Sequence, residues 1–549
     1  MGFSLLDFDR YLEKNFGGKK MNLTHSPSRA LGGMVASAHP LASAAGADIL
    51  KGGGNAFDAM VATVSTLNVV EPFMSSLAGL GVATCWISSE KRVRCLDFTP
   101  NVPFDFKSNV LTREDTMTGP SASGIPGNLA GWSELLDTYG RRKLPDVLSP
   151  AIRHARDGFP VSALYAHMAH TTASRACTPE WSRIYTNPSG KVCEGWVLKQ
   201  PELAETFEGI ASQGSSYLYD GALGKKIIDH LQELGGCMSI KDLRSVRPEW
   251  QEPVSAIYRG FAIHVPPPPA EAFQFLLTMR ILEGFDLDKF DYLGIEHLDT
   301  VFRAIRLAAG VRIDNNNKSI EEIVELLTDR NIQPLRKRVA DNQVIEGLTE
   351  QFGEQVTPQM AENKSHTTSI SIADREGNMI CLTQSLGSPW GSTVVIPGTG
   401  VCMNNFMYWG DLNPASPNHL VGGQRWAMCL SPSISLKDNQ AVLALGTPGS
   451  YGIMQTQAQA FVHYADFGLN LRQAIEAPRA RLFDGKEVVL ESRVANKVTE
   501  ELKRRGHDIK NPGPFTMQCG GMQAVSRDPF SGSLAGAADP RRDGVAIGV

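Results

Sequence analysis

Hydroxyl side chains crowd the stretch "NKSHTTSISIADREGNMICLTQSLG", residues 363–387: Thr367, Thr368, Ser369 and Ser371 follow His366, and Ser385 stands near the far end. A hydroxyl is a weak nucleophile until a base takes its proton, so these residues do chemistry only if a base is at hand. "TTSISIAD" alternates as a strand with one apolar face, and Arg375-Glu376-Gly377 fits a three-residue hairpin loop ending in glycine. Pairing Asp374 with Asn378 and counting back sets Thr367 opposite Ser385, within hydrogen-bonding reach. A slip of one residue would separate the two, and spacing alone favours a half-exposed Thr/Ser-rich hairpin without chemistry. His366 is the neighbour of Thr367 in the chain and so points to the opposite face, a poor place for a base. A cut between His366 and Thr367 would supply one. The new α-amino group of Thr367, with an ordinary pKa of about 7.7–8.0, would sit on the same residue as the hydroxyl.

Such a strand needs a large core to hold it. The chain has 549 residues, 42% hydrophobic and 20% charged, enough to bury one. A net charge of −5 without a long basic run argues against a nucleic-acid surface. Nine scattered cysteines, an odd number with no Cys-x-x-Cys pair, argue against a disulfide framework and a thiolate zinc site. No metal or cofactor is implied, because "GLGVATC" at 79–85 is too degenerate for a dinucleotide fingerprint. Acids and bases interrupt the first 20 residues, so a secretory signal is not expected. No run reaches the roughly 20 apolar residues of a membrane span. A cytoplasmic protein with an N-terminal appendage at 1–33 is the expectation.

Beyond the appendage, "HPLASAAGADILKGGGNAFDAMVATVSTLNVVEP" reads as two helices. The first ends at Gly52-Gly53-Gly54, and Asn55 caps the second. "GVATCWIS" and "RVRCLDF" read as strands, and "FAIHVPPPPAEAFQFLLTMRILEGFDL" as an extended run, a proline stop and an amphipathic helix. Residues 296–350 look helical, and from 367 to 450 short strands dominate.

As a whole, the sequence resembles the γ-glutamyltransferase (γ-glutamyltranspeptidase) family of N-terminal-nucleophile hydrolases. "ILKGGGNAFDAMVA", "GIPGNLAGW", "HARDGFPV" and the ending "ADPRRDGVAIGV" match that family's motifs in order. The resemblance implies an α+β fold, a four-layer αββα sandwich, and a precursor that cuts itself between His366 and Thr367. The products would be a large chain (34–366, after the appendage) and a small chain (367–549), partners of each other, with further assembly of the processed heterodimer left open. Thr367 would be the nucleophile and Ser385 the second hydroxyl, in place of the usual threonine. "GTPGSYG" would supply oxyanion-hole N–H groups from Gly449 and Ser450.

The substrate side departs from the family. Its carboxylate-binding arginine falls on Thr99, its serine pair on Met428 and Cys429, its amino-binding asparagine on Gly387, and its remaining amide and acid on Phe406 and Trp409. A desolvated zwitterion needs charge partners. The expectation is therefore a self-processing amidohydrolase or acylase acting on a small-molecule amide with a non-γ-glutamyl acyl group. Two alternatives stand beside it. One is a γ-glutamyl hydrolase or transferase that holds its donor through Arg94 or Arg425, and the other a binding protein that kept the fold without the chemistry.

Overall fold

The structure, a computed structural model, describes residues 26–349 and 366–549. Most of the expected appendage, residues 1–25, and the segment 350–365 lie outside the described residues.

Buried apolar side chains fall into three groups, and the grouping defines the layers. Strands β1 (Ser28–Ala30), β2 (Gly33–Ser37), β3 (Leu80–Ile87), β4 (Arg92–Asp97), β5 (Glu249–Gln251), β6 (Val254–Tyr258), β7 (Phe261–Val265), β8 (Thr368–Asp374), β9 (Met379–Ser385), β10 (Ser433–Lys437), β11 (Gln440–Gly446), β12 (Gln523–Arg527), β13 (Leu534–Ala538) and β14 (Val545–Gly548) build two antiparallel seven-stranded sheets. One runs β14-β2-β8-β9-β3-β4-β5 and the other β1-β13-β12-β11-β10-β7-β6. The smallest apolar group, including Met34, Ala36, Cys381, Ile434, Ala444 and Val525, lies between the sheets. Helices α1 (Pro40–Lys51) and α2 (Ala56–Val70) cover the first sheet, while α3 (Phe273–Leu282), α4 (Ile295–Asp314) and α5 (Gly452–Ala465) cover the second. The αββα sandwich is thus built from helix, sheet, sheet and helix. Because β1 pairs with β13, Ser28–Ala30, residues within the expected appendage, are part of the second sheet.

Local signals explain the element ends. α1 stops at Lys51, and the Asn55 side chain accepts from the Phe57 and Asp58 N–H groups while Asp58 accepts from the Asn55 N–H. This reciprocal cap starts α2, whose fifteen residues are all buried.

Two expectations need correction. The helix read as amphipathic, α3, is buried on every side except at Arg280, because it is packed among α4, α5 and β6. A helix enclosed by other elements has no polar face to show. The hydroxyl face of β8 is not exposed either. All seven residues of β8 are buried, and the Ser371 hydroxyl donates to the Gln523 carbonyl of the facing sheet at 2.9 Å. Ile370 and Ile372 face the helix layer instead. A strand in the middle of an inner layer is covered on both sides, so its polar face must find protein partners.

Candidate active site

The β8–β9 ladder pairs Thr368 with Gln384, which sets Thr367 opposite Ser385. The Thr367 hydroxyl donates to the Ser385 Oγ at 3.1 Å. The same Oγ accepts the Gly387 N–H at 3.0 Å. Ser385 is thereby fixed from two sides and holds the threonine hydroxyl in one orientation. Both residues are buried.

Thr367 and Ser385 open onto a narrow cleft lined further by Phe406, Trp409, Ala427, Met428, Cys429, Leu430 and Tyr451. No lining residue carries a charge. The space open to a water centre is about 10 Å³, room for about one water molecule. Asn404 and Asn405 position the aromatic wall. Asn404 Oδ1 accepts from the Phe406 N–H, and Asn405 reaches the turn after β9 by accepting from the Ser388 N–H and donating to its hydroxyl. Met428 is held from both sides: its N–H donates to the Pro269 carbonyl, and its own carbonyl accepts the Glu271 N–H. The proline-rich stop after β7 thus becomes a brace for the apolar wall.

Of the positions matched to the family's donor clamps, Phe406, Trp409, Met428 and Cys429 come together in the cleft. Gly387 sits at its edge, where an added Cβ would stand 2.9 Å from Trp409 Nε1. Thr99 is apart from the lining, its hydroxyl donating to Asp97 at 2.5 Å. Neither candidate arginine lines the cleft. Arg425 pairs with Asp97 at 2.9 Å and Glu249 at 3.3 Å, while Arg94 lies over the Trp250 ring and donates to the Tyr139 hydroxyl.

Gly449 and Ser450 lie in the turn between β11 and α5 with φ of +136° and +59°. Tyr451, the next residue, caps α5 and lines the cleft. Amide groups ahead of a helix N-terminus favour negative charge. Tyr451 went unread from the sequence, although it directly follows the "GTPGS" turn. The Arg312 guanidinium lies 4.4 Å from the centre of its ring and is ion-paired with Glu271, both side chains fully buried. His366 is buried beside Thr367. Among the described residues no group of acids, histidines and cysteines could hold a metal ion.

A hydroxyl pair at the head of a central strand, within two stacked sheets and two helical layers, defines the α+β sandwich of the N-terminal-nucleophile hydrolases. The sequence profile of the gamma-glutamyltranspeptidase family matches residues 42–549. The glutathione hydrolase proenzyme of Bacillus subtilis (strain 168) is 30% identical, with 94% of this chain and 91% of that one covered. Acylase ACY 1 proenzyme of Pseudomonas sp. (strain SE83) is 31% identical over 95% and 94% of the two chains. The crystal structure of cephalosporin acylase from Bacillus halodurans superposes with a TM-score of 0.86 at 29% identity, covering 96% of this chain and 98% of that one. The chain belongs to the γ-glutamyltranspeptidase family, as an N-terminal-nucleophile amidohydrolase/acyltransferase.

Proposed function

We propose that the chain is a self-processing acylase that releases a compact, uncharged acyl group from a small-molecule amide. The observation that carries this reading is the uncharged lining of the cleft at the Thr367–Ser385 pair. An α-ammonium and an α-carboxylate buried there would lack partners, at a cost of several kcal/mol. The acylases among the relatives support the same reading.

In the uncut chain the Thr367 Oγ attacks the His366 carbonyl carbon, and the bond to the Thr367 nitrogen breaks as the Oγ proton passes to that nitrogen. Water then hydrolyses the resulting ester, leaving a carboxylate on His366 and a free amine on Thr367. That amine next serves as the base in turnover. It takes the Oγ proton as Oγ attacks the substrate amide, and returns a proton to the departing amine. The Gly449 and Ser450 N–H groups face the oxyanion, Ser385 orients Oγ, and water releases the acyl group from its ester. The strain needed for the first step has a visible counterpart: Thr367 has a φ of +154°, in a region adopted almost only by glycine.

Thr367→Ala is expected to leave one intact chain in a denaturing mass spectrum and to abolish turnover of apolar acyl amides. Wild type should give two chains, the smaller beginning at Thr367. Normal turnover by the variant would sink the mechanism. The relatives named glutathione hydrolases keep a γ-glutamyl reading in view, and ready cleavage of a γ-glutamyl anilide would overturn the acyl-group assignment.

A further inference from the structure

The backbone that carries Thr367 is gripped by a buried ion pair that the reaction scheme leaves unused. The Arg542 Nη1 donates to the Thr367 carbonyl oxygen at 2.9 Å, and the same nitrogen lies 3.8 Å from the Glu71 carboxylate. Both residues are buried. Glu71 is the C-cap of α2, where the helix dipole disfavours a carboxylate, and its Oε2 makes no hydrogen bond. Burial pushes its carboxyl up to about 7, against the pull of Arg542 and the Thr368 hydroxyl and with a further push from Asp543. Burial lowers the Arg542 guanidinium, opposed by Glu71, Asp539 and Asp543. The guanidinium reaches Thr367 by passing over Gly521, where a Cβ would stand 2.6 Å from both Cδ and Nε of Arg542.

Unusual backbone persists only where its surroundings over-determine it. The ladder fixes the chain from Thr368 onward, and Arg542 fixes the carbonyl of Thr367 itself. With that peptide plane held at both ends and the side chain held through the Ser385 hydroxyl, which restrains ψ, the remaining rotation is φ of Thr367, the strained torsion, next to the bond that must break.

We propose that Arg542, seated by Glu71, is a positioning residue that holds Thr367 in its strained backbone for self-cleavage. The proposal rests on the reading that the chain cuts itself before Thr367. Neither side chain takes part in the covalent change. The uncut chain has an amide and no amine at Thr367, so a dependence of cleavage on pH near neutrality must come from another group. Glu71, 3.8 Å from the guanidinium, can supply it: ionised it seats Arg542, neutral it releases it, so that cleavage should quicken as pH rises through about 7.

The test follows the appearance of the two chains by mass spectrometry from pH 5.5 to 8.5 in the full-length wild type and four variants. Arg542→Gln is expected to slow cleavage roughly 10- to 100-fold. Arg542→Lys, which keeps a charged donor, should recover part of the rate, a rescue that a purely structural role would not give. Gly521→Ala displaces Arg542 without touching its charge and should slow cleavage in the same direction. Glu71→Gln should remove the rise near pH 7 while His366 remains in place. A folded Arg542→Gln protein, shown by a wild-type melting transition, that cleaves at the wild-type rate overturns the proposal. If that variant does not fold, an unchanged rate in Gly521→Ala together with an unchanged pH profile in Glu71→Gln overturns it instead. A wild type that never cleaves removes the self-processing reading itself, a result distinct from cleaving wild type with unaffected variants.

Discussion

At the scale of single residues, the cleft has been rebuilt rather than emptied. Gly387, expected at the position of the family's amino-binding asparagine, leaves no room for a larger side chain: a Cβ there would lie 2.3 Å from Asn405 Oδ1 and 2.9 Å from Trp409 Nε1. Its φ of +95° is also one that other residues rarely adopt. Asn405 in turn holds the Ser388 N–H, so the glycine, the asparagine and the tryptophan form one packed unit. Gly387→Asn is therefore expected not to create γ-glutamyl activity. It should lower the unfolding free energy by about 1–3 kcal/mol, seen as a lower melting temperature. A stable variant with new activity on a γ-glutamyl anilide would show that only the amide was missing.

At the scale of elements, the wall of the cleft depends on groups that do not touch it. Arg312 on α4 pairs with Glu271, just ahead of α3, and lies over Tyr451 at the start of α5. Glu271→Gln leaves a fully buried guanidinium without its carboxylate, at a cost of about 3–5 kcal/mol. It should also loosen Tyr451, so KM for an apolar acyl amide is expected to rise as stability falls. Unchanged stability in chemical denaturation would contradict this account. None of this coupling was legible in the sequence, because it joins residues 271, 312 and 451 through packing alone. The hairpin was legible: its register follows from the loop and the period of two, both local properties. The approach of Phe406, Trp409, Met428 and Cys429 could be expected from the family's motifs but not from their own spacing. Arg542 stands in the motif that ends the chain, but nothing in the sequence joined it or Glu71 to Thr367, and the burial of α3 and of the hydroxyl face of β8 follows from neighbours far away in the chain.

At the scale of the whole molecule, stability should depend on pH through buried histidines. Burial, aided by His154, lowers His39 to about 4, and burial lowers His297 to about 3. Burial, His297, Arg479 and Arg541 hold His463 well below its ordinary value. Each of these groups binds a proton more readily unfolded than folded below about pH 6.5, so each removes stability as pH falls through that window, by up to about 1.4 kcal/mol per pH unit. Glu71 acts in the opposite sense. Its pKa of about 7 lies above the unfolded value, so its contribution is present at low pH and is lost as pH rises through 7. Three groups oppose one, and the unfolding free energy should fall by on the order of 2–3 kcal/mol between pH 6 and pH 5. Further acidification reaches the tail, where Arg479 and Arg541 hold Asp539 well down in spite of its burial, and Arg541 chiefly does the same for Glu491. These carboxylates stabilise above the ordinary carboxylate range and lose that contribution as pH falls below it. Urea midpoints at pH 7, 6 and 5 would check the histidine step, with His39→Gln expected to flatten it by about one half, since Glu71 still offsets one of the two remaining rings. A midpoint that does not move between pH 6 and pH 5 would mean that these rings are hydrated in the folded protein, and that its helical layers open where the structure shows them closed.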